Sequence, residues 1–359
     1  MQLPDNKELP INLLAGVFNK TTATYKFYWF ISLLEILNEK RDNRIYFKDI
    51  LARMICNSWY PINYFKISFG FFDMFDYNIK EIQRITGTSL DINKLELFDF
   101  LITNRSPKVN SLVNHFEKQV PYRFLSPWFP NKSNKDIVEL SSGFSNNCIY
   151  RIFDARPKAI EINEKWSNYL IANNRILLDF CFWNLALYLQ SKNPNVPDIP
   201  NKLIKPISRS PLTKQRHFWL GVFDELHEIP CIYTNSSLKK ENFSVEHFIP
   251  FSFVSHDLLW NLIPVNPSIN ISKSNKLPVL SLFLDKFVEL QQFAIKTTFR
   301  KNPNNKLLED YQFLGGSISD LADLHFDEFR KKYYNLLSPL VQIAENMGFE
   351  YWEKKTGAL

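Results

Sequence analysis

The chain has 359 residues, which is enough for two domains, and its 43 Lys and Arg against 37 Asp and Glu give a net charge of +6. This charge fits a polyanionic partner such as a nucleic acid but does not require one. The most apolar segment, residues 176–189, is shorter than the ~20 residues of a membrane span and contains Asp179, so we expect no membrane association. Four scattered cysteines, and a start without the apolar core of a signal peptide, indicate a cytoplasmic protein.

Residues 1–192 are predicted to form a mainly helical domain, to which we assign recognition or regulation. A helix follows Thr22, a strand-like pair covers residues 148–153 and 159–162, and one long helix covers residues 164–190. Most of the abundant aromatic residues should lie in the core, but one or two can stack on a base. The candidates are Trp29, Trp59, Tyr60, Trp128 and Trp166.

Five prolines mark residues 193–211 as a linker. Residues 212–298 begin with a helix and continue with a predicted hairpin of residues 229–233 and 243–247. Residues 299–359 form a helical C-terminal extension, in which Ser338 and Pro339 are expected to open the last helix. The sequence therefore predicts an α+β protein that is mostly helical and contains a short β segment.

The stretch from Ser244 to Phe253 places a carboxylate, Glu246, next to an imidazole, His247. Successive strand side chains point to opposite faces, so His247 suits a general base better than a second ligand beside Glu246. Two carboxamides follow, at Asn261 and Asn270. Carboxylate and amide oxygens are the donors that Mg²⁺ or Mn²⁺ prefers, which favours Glu246 and Asn270 as metal ligands.

Lys273 and Ser274 follow Asn270 by one helical turn and share its face if this segment is helical. Lys273 can add positive charge near a phosphate. For Asn261 two roles stay open: it braces the loop or it holds His247 in its working tautomer.

This order of residues resembles the HNH family of ββα-metal nucleases, in which an acid–His pair ends a strand, an Asn follows in the loop and a third polar residue lies on a short helix. The acid-His-x-x-Pro-x-Ser-Phe run from Glu246 and the Asn-x-x-Lys-Ser run from Asn270 are most similar to the HNH domain of RNA-guided CRISPR effector nucleases. The resemblance covers residues 229–278 and implies an embedded ββα-metal domain within residues 212–298. It also implies His247, Asn261 and Lys273 as catalytic residues.

The sequence departs from this family at three points. Glu246 stands where many members have Asp, and Asn270 stands where many have His. Many relatives also carry Cys pairs that bind zinc, whereas Cys231 is alone and no Cys-x-x-Cys occurs, so no structural zinc is expected.

The resemblance implies a Mg²⁺- or Mn²⁺-dependent endonuclease that cuts DNA, like stand-alone HNH proteins of bacterial restriction or anti-phage defence. Two alternatives stay open: cleavage of RNA, and an inactive HNH fold that binds nucleic acid or acts as a scaffold. A homodimer or a partner defence protein is a further expectation. Seven residues are candidate nucleic-acid contacts, against the alternative of a solvated surface: Arg209, Lys214, Arg216, Lys239, Lys240, Ser274 and Lys276.

Overall fold

The computed structural model describes residues 2–204 and 211–352, so Arg209 lies outside the described residues. The described chain is 60% helical with three small sheets, which confirms the predicted α+β class. Two compact units are present: unit 1 is Met1–Pro194 with Ile199–Lys205, and unit 2 is Asn195–Asp198 with Pro206–Leu359. Within residues 2–204 and 211–352 no helix combines the length and apolarity needed to cross a membrane.

Unit 1 is built from helices around one small antiparallel sheet, in which β3 lies between β1 and β2. Its described α-helices are α1 Ile11–Ala15, α2 Tyr25–Lys40, α3 Phe47–Asn63, α4 Met74–Thr86, α5 Lys94–Thr103, α6 Pro107–Asn114, α7 Val120–Phe124, α8 Asn134–Ser142, α9 Glu164–Ala172 and α10 Asn174–Lys192. Its strands are β1 Arg44–Tyr46, β2 Tyr150–Phe153 and β3 Ala159–Ile162, and its 3-10 helices are His115–Lys118, Ser145–Asn147 and Ile199–Lys202.

The helix α2 is the central element of unit 1. It is apolar on almost every face and packs against α3, α7, α9 and α10, as expected for a helix surrounded by other helices. Its N-cap, Thr24, is buried and donates both its N–H and its hydroxyl to one carboxylate oxygen of Asp73, at 2.6 and 2.7 Å. The start of α2 is therefore fixed to the loop before α4.

Three sequence predictions for unit 1 can be compared with this structure. The strand pair is confirmed by the β2–β3 ladder. The single long helix is wrong: α9 and α10 meet at Asn173, whose side chain donates to the Tyr169 carbonyl and so competes with continued helix. The four candidate tryptophans are buried, and the exposed aromatic residues of this unit include Phe71 and Phe72 instead.

Unit 2 contains two separate two-stranded ladders and a set of helices packed on them. Its described α-helices are α11 Thr213–Leu226, α12 Phe251–Val254, α13 Pro267–Lys273, α14 Leu280–Lys301, α15 Ile318–Asp323 and α16 Phe326–Asn346. Its strands are β4 Ile229–Pro230, β5 Ser237–Leu238, β6 Ser244–His247 and β7 Leu262–Val265, and its 3-10 helices are Leu259–Asn261 and Lys306–Leu314.

The predicted hairpin is wrong in its partners. Strand β4 pairs with β5, because the chain turns back at Cys231, whose carbonyl accepts from Asn235 N–H at 2.8 Å. Strand β6 pairs instead with β7, from Ser244 opposite Val265 to His247 opposite Leu262. The resulting order is β6, loop, β7 and α13, which is the ββα arrangement that the resemblance implied.

The core of unit 2 joins the strands to helices from the C-terminal part of the chain. Phe248, next to the end of β6, stacks on Phe287 of α14, and Phe287 meets Tyr333 of α16 edge-on. Helix α16 runs through Pro339, so the prediction that this residue opens a new helix is wrong. Burial of Leu337 and Val341 on both sides of Pro339 offsets the hydrogen bond that proline removes.

Two glycines of unit 2 allow a test of the end of its last helix. Gly348 has φ +85°, whereas Gly221 lies inside α11, and an added Cβ would meet nothing within 4 Å at either position. We expect Gly348→Ala to lower the free energy of unfolding by about 1 kcal/mol, because the Cβ of alanine is strained at this positive φ. Gly221→Ala should raise it by about 0.5–1 kcal/mol. Urea unfolding measures both changes in free energy. If both variants were stabilised or both destabilised, the left-handed conformation at Gly348 would be contradicted.

Candidate active site

The candidate site lies where β6 ends and α13 begins. Helix α13 packs against β6, and its start is fixed by Asn266, whose side chain accepts from Ser268 N–H at 3.0 Å, with Pro267 in the first turn. Glu246 and His247 close β6, opposite Ile263 and Leu262 of β7. The strand pair thereby brings the acid–His pair and the polar helix together.

Glu246 forms a buried ion pair with Lys273. The carboxylate is 3% exposed and Lys273 is 0% exposed, and Lys273 Nζ donates to Glu246 Oε1 at 2.6 Å. The same ammonium donates to the His247 carbonyl at 2.9 Å. Lys273, expected near a phosphate, is therefore placed on the carboxylate in this structure.

The second oxygen of Glu246 accepts from the Tyr233 hydroxyl at 3.3 Å. Burial, together with the charge of Glu246, raises the pKa of Tyr233 well above its usual value. The hydroxyl therefore keeps its proton at neutral pH and acts as a donor to Glu246. Both carboxylate oxygens have a partner.

His247 is hydrogen-bonded to Asp257, a residue that the sequence analysis did not single out. The distance from His247 Nε2 to Asp257 Oδ1 is 2.9 Å. A carboxylate accepts hydrogen bonds, so this contact requires a proton on Nε2 and favours the neutral tautomer in which Nδ1 has the lone pair. Asp257 is the only acid between His247 and Asn261, which is the signal that could have identified it.

Asn261 is fully buried and braces the chain after His247. Its Oδ1 accepts from Ile249 N–H and its Nδ2 donates to the Ile249 carbonyl, each at 2.8 Å. Of the two roles left open by the sequence, this geometry favours the loop brace, and Asp257 holds the His247 tautomer.

Asn270 lies in α13, one turn before Lys273, and is half-buried. Its side chain makes no hydrogen bond to any described residue, so its amide oxygen is available to a ligand. Ser274 ends the helix with φ 45° and is exposed, so it lies outside the helical face on which it was expected.

The donors suit an open cation site better than a closed one. In residues 2–204 and 211–352 no three His, Cys, Asp or Glu side chains come together to hold a metal. A carboxylate from Glu246 and an amide oxygen from Asn270 would leave positions for water and phosphate oxygens. A cation at Glu246 would compete with the Lys273 ammonium for the same oxygen.

The candidate nucleic-acid contacts differ in how free their side chains are. Arg216 donates to the Phe243 carbonyl at 2.6 Å and lies 4.0 Å over the Phe243 ring, and Lys240 pairs with Asp224. Lys276 is half-buried. Lys214 and Lys239 are exposed, with no side-chain partner in the described part of the chain, so they are the better placed cations of unit 2.

The buried ion pair gives a stability prediction. Lys273→Met leaves the Glu246 carboxylate without a cation, and we expect a loss of about 3–5 kcal/mol of unfolding free energy. Adding Glu246→Gln removes the unpaired charge. The double variant should therefore lose about 1–3 kcal/mol less unfolding free energy than the two single losses added together. Urea unfolding of the three variants measures this coupling.

An exposed ion pair of the same unit serves as the control. Lys240→Met breaks the contact with Asp224, whose side chains are 45% and 53% exposed. Such a pair contributes little to stability, so the variant should unfold within about 0.5 kcal/mol of the unchanged protein. If the losses caused by Lys273→Met and Glu246→Gln simply added up in the double variant, the buried pair would not be coupled.

Comparison with known proteins supports the assignment of this segment. Residues 231–279 match the family model described as HNH endonuclease. No curated protein and no solved structure matches the chain. The matched residues include β5, β6, the loop with Asp257 and Asn261, β7 and α13. Unit 2 thus carries an HNH-family nuclease domain at residues 231–279.

Proposed function

We propose that the protein is a Mg²⁺-dependent endonuclease that hydrolyses phosphodiester bonds of DNA in the bacterial cytoplasm, in restriction or anti-phage defence. The observation that supports it most is the His247–Asp257 hydrogen bond at the end of β6, next to Glu246, within the HNH-family domain. An HNH domain implies a nucleic acid as substrate. DNA, the cation and the defence role follow from the resemblance.

His247 is the proposed general base. Asp257 accepts from Nε2–H and orients the ring, so Nδ1 takes a proton from the attacking water. The hydrogen bonds of Asn261 to Ile249 keep the chain after His247 in one conformation. These hydrogen bonds keep the His247 imidazole in a fixed position during the proton transfer.

Glu246 and Asn270 are the proposed ligands of the divalent cation. When bound, the cation neutralises charge on the scissile phosphate and on the leaving oxygen. In the present structure Lys273 compensates the charge of Glu246. If a cation compensated that charge instead, the long flexible side chain of Lys273 could place its ammonium near the phosphate. Glu246 and Asn270 fit a hard divalent cation because both offer oxygen donors, and the Asn270 side chain has no other hydrogen bond in the described chain.

The proposed domain roles follow the predicted boundaries. Residues 1–192 would recognise the target or a signal, residues 193–211 link the domains, residues 212–298 cut, and residues 299–359 support the nuclease core. One site per chain means that cutting both strands needs a homodimer, a second protein or two successive nicks.

The base is tested by His247→Ala in the full chain. We expect a loss of 10²–10⁴-fold in the rate of DNA cleavage, the usual contribution of a general base. Asp257→Asn should also lower the rate, because a carboxamide can donate to Nε2 and no longer fixes the tautomer in which Nδ1 is unprotonated. Plasmid nicking under single-turnover conditions measures both.

The matched control is His256→Ala. His256 is half-buried, and its ring centroid lies 5.3 Å from that of Trp260. Normal cleavage by His247→Ala together with a strong loss in His256→Ala would move the base to His256.

The cation is tested by chelation and by Asn270→Ala. EDTA should abolish cleavage, and Asn270→Ala should bind Mg²⁺ more weakly and recover part of its activity in Mn²⁺, which tolerates a depleted site better. Calorimetric titration of Mn²⁺ gives a readout that does not depend on activity. A rate unchanged by EDTA would contradict the metal mechanism.

The same assay separates the alternatives. Cleavage of duplex DNA but not of transfer RNA or single-stranded RNA supports the proposal, and the reverse result supports the RNA nuclease. Nucleic-acid binding without cleavage of either substrate, at any tested Mg²⁺ or Mn²⁺ concentration, would support a disabled HNH fold.

A further inference from the structure

Unit 1 contains a cavity of about 420 Å³ at the N-terminus of α2. It is lined by the chain from Lys20 to Ala23, by the first residues of α2, by Phe72 from the loop before α4, and by four residues in and around α7: Gln119, Val120, Arg123 and Ser126. This size lies within the range of small-ligand sites. None of these residues belongs to the candidate active site.

The lining carries three positive charges and no acid. Lys20, Lys26 and Arg123 all line the cavity, and none of them forms an ion pair within residues 2–204 and 211–352. Lys26 Nζ donates to the Val17 carbonyl at 3.1 Å, and Arg123 Nε reaches Gln119 Oε1 only at 3.4 Å. Burial, and then the charge of Arg123, lower the pKa of Lys26. In the described part of the chain the cluster therefore has no counter-ion.

The backbone adds donors at the same place. Helix α2 has 16 residues, with no acid in its first turn and no side-chain cap bond. The N–H groups of Tyr25 and Lys26 have no acceptor in the described chain, and both residues line the cavity. The N-terminus of a long helix attracts anions through such N–H groups and its dipole.

The carboxylate of Asp73, which binds the N-cap of α2, is not part of the cavity lining. Asp73 is buried and accepts from the N–H and hydroxyl of Thr24 and from Phe75 N–H. It does not line the cavity. The Thr24 N–H is thus satisfied, while those of the next two residues are left for a ligand.

One residue of the lining, Phe72, is an exposed aromatic residue, and its neighbour Phe71 lies outside the lining. Phe72 is 81% exposed and Phe71 is 95% exposed, and their ring centroids lie 5.2 Å apart. Two adjacent phenylalanines that bury almost nothing contribute little to the core. A phenylalanine ring next to a cationic cavity can stack on a nucleobase whose phosphate lies inside.

We propose that this cavity binds a nucleotide, with the phosphate held by Lys26, Arg123 and the N-terminus of α2 and the base stacked on Phe72. The ligand is a free nucleotide or the terminal nucleotide of a strand, because both present the same phosphate and base. The proposal is independent of cleavage by unit 2.

Binding is measured on the full chain carrying His247→Ala, so that a substrate stays intact. The probes are AMP, ATP, inorganic phosphate, and a 5′-phosphorylated hexanucleotide of DNA or RNA. Arg123→Gln should weaken binding of the preferred nucleotide probe at least about tenfold, the usual effect of losing a charge-assisted contact. Phe72→Ala should weaken the same probe about fivefold or more and leave inorganic phosphate unchanged, because only the base is lost.

The matched control for Arg123→Gln is Arg105→Gln, since Arg105 is an exposed arginine of unit 1 that does not line the cavity. Preference for AMP or ATP identifies a free nucleotide, and preference for the hexanucleotide identifies a strand end. The proposal is overturned if no probe binds at millimolar concentration, or if Arg123→Gln and Arg105→Gln bind equally. Since Arg123 and Phe72 are exposed, loss of folding would not explain a loss of binding.

Discussion

The HNH domain depends on how one buried carboxylate is compensated. Glu246 is 3% exposed, and a carboxylate left alone at such a site would cost several kcal/mol. The Lys273 ammonium at 2.6 Å supplies the opposite charge. Because Glu246 belongs to β6 and Lys273 to α13, the pair also fixes the helix on the strand. Asn270, one helical turn earlier, is thereby held near the end of β6.

The loop between β6 and β7 is held by the C-terminal helices. Gln291 of α14 donates to the carbonyls of Leu259 and Leu262, at 3.1 and 2.9 Å, and accepts from Tyr311. Asp310 accepts from Leu259 N–H at 2.9 Å. These contacts fix the backbone on both sides of Asn261, four residues after Asp257, the acid that orients His247. The helices beyond residue 279 therefore pre-organise the site, although they lie outside the segment that matches the HNH family.

Much of the candidate site could be proposed from sequence, because its residues follow one another at family spacing from Glu246 to Asn270. The contact of His247 with Asp257 could not, since it depends on how the loop closes in space. Strand β7 is not evident from the sequence, because it is a short buried run that contains Pro264, which weakens the strand pattern. The exposure of Phe71 and Phe72 cannot be predicted from sequence either, because aromatic residues usually lie in the core and only the structure shows which ones do not.

Under the proposed function, the same ion pair opposes cation binding. One oxygen of Glu246 accepts from Lys273 and the other from Tyr233, so a divalent cation at this carboxylate would compete with the Lys273 ammonium. The second contact of Lys273, to the His247 carbonyl at 2.9 Å, keeps it at the site. Lys273 would then have two positions: one on Glu246, where it stabilises the domain, and one beside the phosphate. A tighter resting pair would make the domain more stable and its affinity for the cation weaker, a conflict that is common where function requires a buried charge.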